Sequence, residues 1–120
     1  MYTDHFEGRI AKVRHRFAIA LESKITDALV FADRIARGED RDCKLVSDSY
    51  RHLHSICGIG PTVGFAATGE AARAAETTIL RALHEKRQPT EKEIVNLKKA
   101  LAQLRTTAAS ELRRMYQRWG

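Results

Sequence analysis

The sequence predicts an all-α fold, an up-and-down four-helix bundle. Two observations point there: apolar residues recur at steps of three and four through nearly the whole chain, and no stretch shows the alternating β-branched pattern of a strand. A third is that short loops separate the periodic segments, which favours antiparallel neighbours, each burying one apolar stripe. At 120 residues the chain fits a single domain with one core. It shows no internal repeat and no low-complexity segment.

Phe6, Ile10, Val13, Phe17, Leu21, Ile25, Ala28, Ala32 and Ile35 mark one face of a first long helix that ends near Arg37-Gly38. Gly8 is a candidate break that would split off a short extra N-terminal helix. Asp40 or Asp42 can cap the second helix, whose inward stripe is Val46, Tyr50, Leu53, Ile56 or Cys57, and Gly60. Pro61 lacks the N–H that would bond the Cys57 carbonyl and disfavours helical backbone at Gly60, so this helix kinks or ends over residues 60 to 62. A third, alanine-rich helix runs from about Ala66 to His84 with Thr68, Ala72, Ala75, Ile79 and Leu83 inward; its small residues permit close approach to a neighbour. After the linker from Lys86 to Pro89, Thr90-Glu91-Lys92-Glu93 forms a capping box. The fourth helix follows, with Ile94, Leu97, Leu101, Leu104, Ala108, Leu112, Met115 and Trp119 on one face.

Composition narrows the function classes. No apolar run approaches the ~20 residues of a membrane span, and the opening residues lack the pattern of a signal peptide, so a cytoplasmic protein with no membrane contact is expected. Cys43 and Cys57 form no metal-type pair and, read as sharing one helix, are too far apart to bridge; free thiols are expected. The net charge of +6, from 21 Lys and Arg against 15 Asp and Glu, favours an acidic partner. The basic residues are dispersed among acids, as at Arg9, Lys12, Arg14, Arg16 and again at Arg105, Arg113, Arg114, Arg118, which reads as solvated helix faces and makes nucleic acid an unfavoured partner.

Chemistry concentrates at His54. In a helix the side chain at i+4 covers residue i, so glycine at 58 uncovers the imidazole, at a cost of about 1 kcal/mol against alanine. The alternative is a frayed helix C-terminus with no function. His54 follows Leu53 and is rotated about 100° from the core direction, onto a flank in water. His52 and His54 point about 200° apart and cannot share an ion, no Glu-x-x-His pattern appears, and no metal site is expected. His5, His15 and His84 read as surface residues. Gly58, Gly60 and Gly64 follow a helix rather than a strand, which excludes a phosphate-cradling nucleotide loop. Neutral imidazole, with an unperturbed pKa of about 6.5, is a nucleophile near pH 7, and a phosphorylated ring remains a good phosphoryl donor.

The segment His54-Ser55-Ile56-Cys57-Gly58, with Gly60 and then Gly64-Phe65, resembles the motif of histidine-containing phosphotransfer (HPt) domains of bacterial phosphorelays: His, any residue, an aliphatic, a variable position often Lys or Ala, then Gly, with a Gly-Phe or Gly-Leu pair beyond. The resemblance extends through Glu70-Ala71-Ala72-Arg73-Ala74-Ala75-Glu76 and back through Arg16-Phe17 to Gly38, about residues 10 to 108 in all. It implies that His54 is the phosphoacceptor, on Nε2, and that Gly58 gives clearance. Ser55 belongs to the motif as a supporting position. Glu76 stands where the family often has a side chain near the histidine, and would accept from Nδ1–H; otherwise it is a solvated helix charge. Cys57 departs from the lysine with which many members meet the phosphate, and Arg51, one turn earlier, is the substitute. Pro61 is a second departure, bearing on how far the His54 helix continues.

The resemblance implies a monomeric phosphoryl carrier between the aspartates of response-regulator receiver domains, with a hybrid histidine kinase as a further candidate partner. No cofactor and no autonomous kinase activity are expected, magnesium coming with the receiver's acidic pocket. The alternative class is a basic helical interaction module that binds protein or nucleic acid without phosphotransfer. A small bundle enzyme would need a second catalytic group beside His54, and Glu76 alone is on offer.

Overall fold

In the computed structural model, which describes the backbone of residues 2–119 and the side chains of residues 8–118, four helices form an up-and-down bundle. They are α1 (Tyr2–Ala36), α2 (Lys44–Ile59), α3 (Ala66–His84) and α4 (Glu91–Trp119), and no strand occurs among the described residues. Each helix packs on its neighbours in the chain, and α4 closes the ring on α1. At 1.5 Å per residue the 35 residues of α1 span about 52 Å, which accounts for the molecule's 53 Å long axis. The inward positions of Phe6 and Trp119 and the surface position of His5 lie outside the described side chains.

The core is the set of stripes the periodicity marks. Leu21, Ile25 and Ala28 from α1, Val46, Leu53 and Ile56 from α2, Ala72, Ala75 and Ile79 from α3, and Leu97, Leu101 and Leu104 from α4 are all essentially inaccessible to solvent. Burying a leucine or isoleucine of this kind contributes about 1.5–3 kcal/mol, which is what holds helices of mixed propensity together. Val13 departs from expectation at 44% exposed. It lies one turn beyond Phe17, whose ring meets Phe65 at 5.0 Å, and past that contact it borders a shallow surface hollow shared with the short turn at Thr62 and Val63. Gly8 does not break α1, which runs through it without interruption, so no extra N-terminal helix forms.

The ends of α2 fix where His54 stands. A 3₁₀ turn over Arg41–Cys43 precedes the helix, so Cys43, with a left-handed φ of 57°, lies before α2 and not on it. The cap comes from Asp40: its carboxylate accepts from the amides of Leu45 and Val46 at 2.7 and 3.3 Å, satisfying two donors of the first turn. At the other end Pro61 stops the α-helix, and the chain continues as a 3₁₀ turn over Gly60–Val63. Glycine is required at two positions there. A Cβ on Gly60 would stand 2.9 Å from the Phe65 carbonyl oxygen, and Gly64 has φ +95°. The capping box forms at α4, Thr90 N–H donating to Glu93 at 2.8 Å and Glu93 N–H to the Thr90 hydroxyl at 3.1 Å.

Candidate functional site

The α2–α3 register brings two predicted site residues together. His54 Nδ1 and Glu76 Oε2 are 3.1 Å apart, from helices that run antiparallel. Their exposures differ: the His54 side chain is 63% exposed and that of Glu76 only 13%. The carboxylate is therefore a fixed feature of the helix interface, and the imidazole edge turned away from it faces solvent. A carboxylate can only accept, so in the neutral ring this pairing places the hydrogen on Nδ1 and leaves the lone pair on Nε2. A neutral ring held this way presents one nucleophilic atom outward.

Gly58 lies one turn further along α2. An added Cβ there would have no neighbour within 4 Å, and its backbone is ordinary right-handed helix. Neither packing nor backbone geometry demands glycine at this position, in contrast to Gly60 and Gly64. On the other side of His54, Tyr50 stacks on the imidazole with ring centroids 5.3 Å apart and planes 13° from parallel. The sequence assigned Tyr50 to the inward stripe, and it is half-buried; the signal for its second contact was its i, i+4 spacing from His54.

The other predicted residues stand apart from the ring. Arg51 is 76% exposed and pairs with Asp48, Nη2 to Oδ1 at 3.4 Å. Cys57 is buried in the core with its thiol free. Ser55 faces α1, where its hydroxyl accepts from Lys24 Nζ at 2.9 Å. His52 also turns to α1, 3.7 Å from Asp27 and stacked against Phe31 at 5.9 Å, so the two histidines of α2 serve different interfaces. Among the described residues no group of three or more His, Cys, Asp or Glu side chains converges as a metal site would require.

A groove of about 300 Å³ opens between α1 and α4, lined by Leu21, Ile25, Ala108, Leu112 and Tyr116 with Glu22, Arg105 and Arg113 at its rim. No histidine lines it, and it is formed by different helices from those that hold His54. No described helix is long and apolar enough to cross a membrane. Comparison with protein-family models, with curated proteins and with solved structures finds no match for this chain.

Proposed function

We propose that the protein is a histidine phosphotransfer protein of the HPt type, which takes a phosphoryl group from the aspartyl phosphate of one receiver domain and passes it to the aspartate of another. The observation that carries this reading is the His54–Glu76 pair, an exposed imidazole whose inner nitrogen is held by a largely buried carboxylate. The Nε2 lone pair attacks phosphorus, the bond from phosphorus to the aspartyl oxygen breaks, and its electrons leave on the carboxylate. The hydrogen stays on Nδ1, so the phosphorylated ring is an imidazolium, and the Glu76 carboxylate stabilises that positive charge. Transfer onward reverses these bond changes and returns a neutral ring.

Gly58 leaves the approach to His54 clear for the partner's acidic pocket, which brings its own magnesium. Arg51, paired with Asp48 only at the surface, can turn toward the phosphoryl group at small cost, since an exposed ion pair is worth about 0–1 kcal/mol. A cytoplasmic setting, receiver domains and a hybrid histidine kinase as partners, and action as a monomer all belong to this proposal. The test is labelling by a radiolabelled, aspartyl-phosphorylated receiver. The expected result is one acid-labile, base-stable label that His54→Gln removes; label that persists in His54→Gln, or that sits on His52 or His84, overturns the assignment.

A further inference from the structure

Tyr50, His54 and Gly58 form one column on the surface of α2, each four residues from the next. Helical side chains lean toward the N-terminus, so the imidazole lies over the Tyr50 ring and a side chain at position 58 would lie over the imidazole. The stack is close to parallel, at 13° and 5.3 Å between centroids, and nothing stands within 4 Å of where a Cβ at 58 would be. Tyr50 flanks one face of the imidazole in an offset stack, and no side chain stands at position 58 over the other.

The Glu76 and Tyr50 contacts restrain different torsions of His54. A half-turn about χ2 exchanges Nδ1 with Cδ2; it breaks the 3.1 Å contact to Glu76 but leaves the rings stacked. A change of χ1 between the two wells open to a helical residue carries the ring off Tyr50. Glu76 therefore selects which nitrogen faces outward, and Tyr50 selects where that nitrogen points. In-line attack on phosphorus runs along the in-plane lone pair of Nε2, so both choices must be made before the donor arrives.

We propose that Tyr50 is a positioning residue for phosphoryl transfer at His54, acting through the face of its ring. The proposal rests on the carrier reading above. The test compares wild type, Tyr50→Phe and Tyr50→Leu as full chains, with single-turnover transfer from a radiolabelled receiver domain at varied concentration and with NMR of His54 in the unphosphorylated protein. Tyr50→Leu is expected to lower the limiting rate about three- to tenfold, the range set by the strength of aromatic pairs, with the half-saturating receiver concentration unchanged. Its three-bond couplings should show His54 averaging between χ1 wells while the ring nitrogen shifts still report hydrogen on Nδ1. Tyr50→Phe, which keeps the ring and loses the hydroxyl, should match wild type in both measurements.

The proposal is overturned if Tyr50→Leu transfers at the wild-type limiting rate, if it loses rate with His54 still in one χ1 well, or if Tyr50→Phe loses as much as Tyr50→Leu. The two readings fail differently. A wild-type chain that takes no label from any receiver overturns the carrier reading and this inference with it, whereas a labelled wild type with an unaffected Tyr50→Leu removes only the role of Tyr50.

Discussion

Replacing Gly58 should raise stability, and a side chain longer than that of alanine should slow transfer as well, because the helix and the reaction make opposite demands on that position. The residue lies in the body of α2 with right-handed backbone, and an added Cβ has no neighbour within 4 Å. Gly58→Ala therefore meets no steric penalty and gains helix propensity together with a less disordered unfolded chain, up to about 1 kcal/mol. In a chain of 120 residues that corresponds to a rise of roughly 3–6 °C in Tm. Gly58→Gln keeps most of the gain, at about 0.5 kcal/mol or more, yet lays a flexible polar side chain back over the open face of His54. Thermal unfolding by circular dichroism reads the first effect, and single-turnover transfer from a phosphorylated receiver reads the second. Gly58→Ala should be more stable than wild type with transfer largely retained, and Gly58→Gln more stable with transfer clearly slowed. A less stable Gly58→Ala would refute the packing argument, and a Gly58→Gln protein that transfers at the wild-type rate would refute the clearance argument.

Other expectations follow from contacts away from the ring. Glu111 Oε1 accepts from both the amide and the hydroxyl of the fully buried Thr68, each at 2.6 Å, so Glu111→Ala should cost about 1–3 kcal/mol in chemical denaturation, the loss expected when buried donors go unpaired; a loss below about 0.5 kcal/mol would contradict it. Hydrogen bonds from Arg87, and next from the Thr90 amide, hold the Glu93 carboxyl down from 4.5 to about 2. Because the folded value lies below the unfolded one, this contribution is present above about pH 4.5 and fades as pH falls toward 2, so stability should drop across that window and Glu93→Gln should flatten the drop. Arg51→Ala should leave stability within about 0.5 kcal/mol while shortening the lifetime of the phosphorylated protein, and an unchanged lifetime would remove Arg51 from the site.

The elements and the core were legible in the sequence because packing follows periodicity: α3 begins and ends at the expected Ala66 and His84, and the Thr90–Glu93 box forms as its residue types require. What escaped depends on residues far apart in sequence. Glu111 caps the first turn of α3 from 43 residues away, and no local pattern announces such a bond. Of the two caps the sequence offered for α2 it is Asp40 that serves, reaching past Asp42 and Cys43 because both take left-handed backbone and wind the chain back under the helix start. Cys43 was read onto α2 for the same reason, since its spacing fits the helix but its φ does not.

At the site, exposure of His54 was legible from its rotation off the Leu53 direction, and its pairing with Glu76 depends on an α2–α3 register that spacing within one helix does not specify. Tyr50 shows a further reason for loss: an aromatic residue on an inward stripe is credited to the core, although its ring is large enough to serve the core at one edge and a neighbouring imidazole at its face.

The most direct test of the account is a relay with three purified components: a radiolabelled phospho-receiver, this chain, and a second, unlabelled receiver. Label should reach the second receiver's aspartate only when this chain is present, pass through an acid-labile intermediate on His54, and stop at the first receiver when His54→Gln replaces the wild type. Label reaching the second receiver equally fast with His54→Gln, or with this chain left out, would contradict it.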